Sequence, residues 1–490
     1  MTRRGVGRGV VLIALLIAWS AGAQEPRPMT MVDLLSVPSI SEPRLSPDGQ
    51  EILFVKSEAD WKANKRIDHV WRVRADGSNL RQLTNGAQGE NHPRWSPDGK
   101  TIAFVAKRGE EDEAQAQIWS IRNDGGEARQ LTSHETSVSD VAWAPDGKSL
   151  YFIAEDPKSD ELKAREKVKD DVYAFDENYR QEHLWNIDVA TQKARRITGG
   201  DFSIIAYELS RDGTRIVHHR GPSPLIGDNE QREIWVMGAD GSDATQLTKN
   251  SAIESNAELS PDKSQVLFLA SANAQFESPY NSNIFIVSAT GGTSRLLTAD
   301  LPHEVQRATW SKDGRAIYFA ANMGLHSELF RLDVDAGAPE QLTDGDHALR
   351  GWHYLSELDR HLFIEDVPTN PGEIWTLGDA GATPQRVTHL FDDLAQRFKL
   401  PKQVRIAWKG ADGQTVEGLL CYPLDHQPGV RYPLIVQTHG GPHASDKFGF
   451  GSWSSYVQIL TAKGYAVLKP NYRGSTGYGD AFLRDMVGHY

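Results

Sequence analysis

The 490-residue sequence is 39% hydrophobic and 24% charged, carries a formal net charge of −13 and holds one cysteine, Cys421. This balance excludes a chain that is disordered or membrane-embedded throughout, and acidic charge spread along the sequence argues against a nucleic-acid partner, which needs a concentrated basic surface. A lone cysteine excludes an intrachain disulfide, and Cys421 is expected to be a small buried group in a strand.

At the N-terminus, Arg3, Arg4 and Arg8 precede an apolar run from Val10 to Trp19, which ends in Ala21-Gly22-Ala23. The run is short for a bilayer span and its small-x-small ending suits processing, so residues 1–23 are expected to be a secretory signal peptide cleaved before Gln24. An uncleaved anchor is the alternative. With cleavage, no membrane anchor is expected and the location is periplasmic or extracellular.

Next comes a repeat, which decides the fold class of a long chain. Ser46-Pro47-Asp48-Gly49 recurs at Ser96, Ala144, Ser210, Ser260 and Ser311, with a degenerate copy at Ser356. Each unit closes on a second marker, at Gln82-Leu83-Thr84, Gln130-Leu131-Thr132, Arg196-Ile197-Thr198, Gln246-Leu247-Thr248, Leu296-Leu297-Thr298, Gln341-Leu342-Thr343 and Arg386-Val387-Thr388. Between the markers, β-rich runs alternate with turn residues, the pattern of a four-stranded antiparallel meander. An aromatic recurs in the third strand (Trp71, Trp119, Trp185, Trp235, Phe285, Phe330 and Trp375), where packing between neighbouring units would use it. The expected architecture is an all-β seven-bladed propeller over residues 24–390, with no strand shared between the first and last units. The third unit is longer than the others, its excess lying in the charged stretch 155–181. That stretch reads either as a lid or recognition arm, or as a solvated helix or hairpin.

After Thr388 the pattern changes. Val404 to Ala407 and Thr415 to Tyr422 read as a hairpin, Leu434 to Thr438 as a buried strand, Trp453 to Lys463 as a helix and Tyr465 to Lys469 as a second buried strand. A helix is expected to start at Asp480. Hairpin, strand, helix, strand, helix is the opening of an α/β-hydrolase sheet, so residues 391–490 are expected to form the N-terminal part of such a domain. His439-Gly440-Gly441 follows the first buried strand. A backbone amide approaches an oxyanion closely only where side chains are absent, so Gly440 and Gly441 are the candidate oxyanion-hole donors, with Gly441 preferred. His439 and His443 lack a third ligand at metal spacing, and no metal site is expected.

The repeated turns, Thr438-His439-Gly440-Gly441-Pro442-His443 and Asn471-Tyr472-Arg473-Gly474-Ser475-Thr476-Gly477-Tyr478-Gly479 together resemble the prolyl oligopeptidase family, in particular its acylaminoacyl-peptidase and bacterial dipeptidyl-peptidase branch. The blades resemble WD40-like or TolB-like repeats. The resemblance implies a secreted serine peptidase that hydrolyses short peptides through an acyl-enzyme, without metal or organic cofactor. It also implies a Gly-x-Ser-x-Gly nucleophile further along, with aspartate and histidine later still. The sequence contains no Gly-x-Ser-x-Gly. Ser475 has glycine at the wrong offset, and Ser475, Asp480 and His489 are not to be assembled into a triad. The catalytic triad is therefore expected to be absent and the chain inactive as it stands, cut short within the peptidase domain. His439, Arg473 and Tyr478 are candidates either for contacting substrate or for pinning the glycine-rich loop. The alternative function is a non-catalytic secreted propeller that binds peptide or protein. Neither oligomeric state nor cleavage preference can be read from the sequence.

Overall fold

The computed structural model describes residues 25–109, 114–170, 172–174, 176–335, 337–378, 381–441, 443–451 and 456–488. The expected signal peptide, the start of the helix expected from Trp453, and His489 lie outside the described residues.

Seven four-stranded antiparallel sheets follow one another, each taking all its strands from a consecutive stretch of chain. The first runs from Ser39–Leu45 through Glu51–Asp60 and Lys65–Arg74 to Arg81–Gln82, and the seventh from Ala348–Leu355 through Arg360–Val367 and Asn370–Leu377 to Gln385–Arg386. The expectation of a closed propeller is corrected here: among the described residues no sheet is closed or curled on itself, and the strand ladder of each of the seven stays within its own four strands. The repeated markers specify turns and pairing inside one unit. Between units they are linked through side chains, as where Arg211 donates to Trp310 O at 3.0 Å and Lys312 Nζ to Glu357 O at 3.0 Å.

The markers have direct physical jobs. In the opening turn, Ser46 Oγ donates to Asp48 Oδ1 at 2.6 Å and accepts from Glu51 N at 2.9 Å, while Gly49 sits at φ +71°. Lys263 holds the corresponding position of the fifth sheet at φ +62°. In the closing marker, the threonine reaches back to the third strand. Thr84 Oγ1 accepts from Val70 N at 2.9 Å, and the same bond recurs at Thr132, Thr198, Thr248, Thr298, Thr343 and Thr388. It satisfies an amide that the fourth strand, two or three residues long, is too short to reach. Thr132→Val removes this acceptor from buried Ile118 N and is expected to destabilise by about 1–3 kcal/mol. Thermal melting against the exposed Thr293→Val checks it; equal melting temperatures for the two variants would sink the assignment.

Side chains join the sheets. Alternate residues of a strand face opposite ways, so an apolar run buried on both faces serves two neighbours. Ile52 and Phe54 pack with Leu362, Ile364 and Ile374 of the seventh sheet, while Leu53 packs with Ile102 and Phe104 of the second. Tryptophans before the turns add cross-links: Trp95 Nε1 donates to Arg44 O at 3.1 Å and Trp143 Nε1 to Arg94 O at 3.2 Å. The recurring third-strand aromatics have a second use. Lys56, Arg108 and Arg220 lie 4.5, 4.2 and 4.5 Å over the rings of Trp71, Trp119 and Trp235.

In the 155–181 stretch, the helix Asp160–Lys167 buries none of its residues and is capped by Ser159. Lys163 reaches Glu135 at 2.7 Å, and Arg180 donates to Asp156 O at 2.8 Å. A cavity of about 480 Å³ lies beside it, bordered by Glu135, Glu155, Lys158, Arg180 and Glu182.

The C-terminal unit is a mixed four-stranded sheet in the order Gln403–Lys409, Thr415–Cys421, Ala466–Asn471, Leu434–Val436, with only the short helices Val457–Ala462 and Asp480–Arg484 described in it. The last strand runs parallel to its neighbour and forms an open edge, leaving Leu434 and Val436 52% and 56% exposed. An N-terminal strap ties this unit down. Arg27–Pro28 pairs with Phe398–Lys399, and Met29 and Leu34 pack with Phe391, Phe398 and Phe450.

Candidate functional site

Two loops leave the C-terminal ends of the parallel strands Leu434–Val436 and Ala466–Asn471, the end of a parallel sheet where α/β folds place ligands. The first carries His439, Gly440 and Gly441; the second runs from Tyr472 to Gly479. Asn471, fully buried, clamps them together. Its Oδ1 accepts from Asp446 N at 2.7 Å, and its Nδ2 donates to Asp446 O at 3.0 Å and Tyr478 Oη at 2.8 Å.

His439 is held from three sides. Its ring stacks on Tyr472 at 4.5 Å and 15°, and Tyr472 Oη donates to His439 O at 2.6 Å. Its Nε2 lies 2.9 Å from Ser475 Oγ. Ser475 Oγ also lies 2.6 Å from Tyr472 O, and on the other side of the ring His439 Nδ1 lies 3.0 Å from Gly440 O, a carbonyl that can only accept. A serine beside a histidine invites comparison with a nucleophile and its base. Here the serine side chain is fully buried, with Oγ held between Tyr472 O and His439 Nε2, so the pair fixes the loop. Asp480 points elsewhere, accepting from Asn281 N and Nδ2, both at 2.9 Å.

Gly440 and Gly441 are exposed, and among the described residues neither N–H has a hydrogen-bond partner. Gly441 has φ +131°, and a Cβ on it would lie 2.7 Å from His443 N, so only glycine fits. Two exposed amides beside a fixed ring can receive an anion.

The other candidates from the sequence lie apart from these amides. Arg473 pairs with Asp412 and, at 3.1 Å, with Asp485. Tyr478 packs against Gly324 of the sixth sheet so tightly that a Cβ there would lie 2.3 Å from the ring. Burial pushes its phenol well above the ordinary value.

Four further residues of the seven-sheet region meet these loops, and sequence reasoning missed all of them. Asn322 Nδ2 donates to Thr476 Oγ1 at 2.8 Å, while its Oδ1 accepts from Ser445 Oγ at 3.0 Å. Asn281 Oδ1 accepts from Gly477 N at 3.3 Å. Leu325 O accepts from Phe448 N at 2.8 Å, and Leu325 packs with Leu419 and Phe448. Asp366 accepts from Phe450 N at 2.7 Å. All four lie in or beside turns between the second and third strands of their sheets. A cavity of about 330 Å³ between the two regions is bordered by Asp366, His439, Asp446, Lys447 and Lys469. Lys469 pairs with Asp446 at 2.7 Å, and burial pushes the Lys447 ammonium down to about 8.

Two family models match this chain, one described as a TolB beta propeller domain over residues 36–183 and one as the prolyl oligopeptidase family over residues 451–490. An uncharacterized peptidase, YuxL, of Bacillus subtilis is 26% identical, covering 94% of this chain and 73% of its own length. Dipeptidyl-peptidase 5 of Porphyromonas gingivalis is 23% identical over 96% of this chain and 72% of its own. Among solved structures, an acylaminoacyl peptidase of Pyrococcus horikoshii superposes with a TM-score of 0.73 at 19% identity, covering 94% of this chain and 69% of that one, a likeness of fold.

Proposed function

The chain belongs to the prolyl oligopeptidase family of peptidases, related to the acylaminoacyl and dipeptidyl peptidases, and from that premise we propose that it supplies the oxyanion-binding side of a serine peptidase site for short peptides. The observation that carries this reading is the pair of exposed amides at Gly440 and Gly441, without a partner among the described residues, next to an imidazole locked by Tyr472 and Ser475.

In acyl transfer, attack by a serine on a peptide carbonyl forms a bond to carbon and moves the C=O electron pair onto oxygen. Donors already aimed at that oxygen lower the barrier because they need no reorganisation, and one such donor contributes about 3–4 kcal/mol. Gly441 N–H is the donor in this reading, with Gly440 beside it. His439 holds the loop, fixed by its stacking on Tyr472 and its contacts with Ser475 Oγ and Gly440 O. The nucleophile is not among these residues: Ser475 is buried with its Oγ engaged, and no Gly-x-Ser-x-Gly occurs in the sequence.

A fluorophosphonate that labels activated serines tests both halves of the proposal. The 490-residue chain is expected to remain unlabelled and to leave short peptide esters intact. Labelling at Ser475 would overturn the reading and make His439 and Ser475 a working pair.

A further inference from the structure

The segment from His439 to Gly451 meets the seventh sheet at Asp366. This carboxylate, on the strand Arg360–Val367, accepts Phe450 N at 2.7 Å. The neighbouring Gly449 comes so close that a Cβ on it would lie 2.9 Å from Asp366 Oδ1. The contact is buried and borders the cavity behind His439.

We infer that Asp366 is a positioning residue which sets where the His439–Gly451 segment rests, and that taking up a proton tightens its hold. The functional meaning of this hold rests on the reading of Gly440 and Gly441 as oxyanion donors; the hold itself does not. The charged groups around Asp366 are Arg350, from the first strand of its own sheet at 3.5 Å, Lys469 from the C-terminal sheet, and Lys447, Asp446 and His439 around the cavity. On its own strand Glu365 is engaged by His347 at 2.9 Å.

Burial outweighs the cations and pushes the Asp366 carboxyl up to about 6, from an ordinary 3.8. A raised carboxyl means that the docked segment binds a proton more readily than the released one. Docking is therefore weakest above pH 6, where a charge must stay buried, and strengthens as pH falls from 6 toward 3.8. The neutral acid keeps a carbonyl oxygen to accept Phe450 N–H, so protonation removes the buried charge without breaking the contact.

Hydrogen exchange of the full chain, followed by mass spectrometry over residues 443–451, tests this at pH 5 and pH 8 with labelling times scaled to the intrinsic exchange rates. Protection in the parent is expected to rise roughly five- to tenfold at pH 5, within the roughly hundredfold limit set by the two-unit difference. Asp366→Asn, a permanent mimic of the protonated acid, is expected to show the higher protection at both pH values, and Asp366→Ala, which removes the acceptor, the lower protection at both. A parent indifferent to pH would overturn the inference. So would an Asp366→Asn chain that loses protection, or one that retains the pH dependence and thereby assigns it to His439, His347 or Asp446. Labelling of Ser475 in the previous experiment would remove the oxyanion reading and leave this measurement unaffected.

Discussion

Asn322→Leu is expected to loosen the C-terminal unit from the sixth sheet by about 3 kcal/mol. Asn322 is 1% exposed and makes four bonds: to Thr476 and Ser445 across the junction, and to Glu304 and Gly324 within its own region. Leucine is close in size, so the change leaves little cavity but strands several buried polar groups. Each stranded group costs about 1–3 kcal/mol, and the sum is less than additive because the four bonds share one side chain. In calorimetry, melting of the C-terminal unit should separate from that of the seven sheets and fall by at least about 10 °C. Superimposable melting curves for variant and parent would refute the role of Asn322 as the junction's main polar tie.

A comparable loss is expected from Gly477→Ala, for a steric reason. A Cβ there would stand 2.4 Å from Gly324 N and 2.8 Å from Asn322 O, at φ +86°. Two backbones touch at this point, and neither can yield as a flexible side chain would. Overpacking of this kind costs about 1–3 kcal/mol, and the left-handed conformation adds about 1 kcal/mol. Gly464 separates the two terms, because it has φ +85° with nothing within 4 Å of its Cβ position. Gly464→Ala should therefore show the conformational part alone, and Gly477→Ala should also expose residues 472–488 to a protease. Equal behaviour of the two variants would mean that the close approach contributes nothing.

What the sequence made legible is what neighbours along the chain determine. The opening turns were readable because serine, aspartate and glycine at fixed offsets make bonds within six residues, as Ser46 does. The closing threonines were readable as markers, though the bond from Val70 N to Thr84, fourteen residues on, was not. How the sheets lie together was not written in the repeat, and the closed form expected from it was the part that needed correction. Side chains such as Phe54 and Trp95 decide that arrangement through partners in other units.

Within the candidate site, Gly440 and Gly441 stood out because glycine after an apolar strand has few other uses. Tyr472 and Ser475 did not stand out as partners of His439, since more than thirty residues separate them. Asn281, Asn322 and Asp366 sit in or beside irregular turns that differ from sheet to sheet, so no periodicity announces them. Local chemistry was visible, and contacts made across the junction were not.

The strap and the side-chain packing of first against seventh sheet also impose an order in time. Ile52 and Phe54 present an apolar face whose cover, Leu362 to Ile374, lies some 300 residues further along the chain. At about 5–20 residues per second of synthesis, that face waits on the order of 15 to 60 seconds for its partner. The clasp of Arg27–Pro28 with Phe398–Lys399 closes later still. The beginning of this polypeptide is thus the part with the longest wait for its native neighbours, and an interruption of synthesis before residue 362 leaves it uncovered for a chaperone or a protease to find.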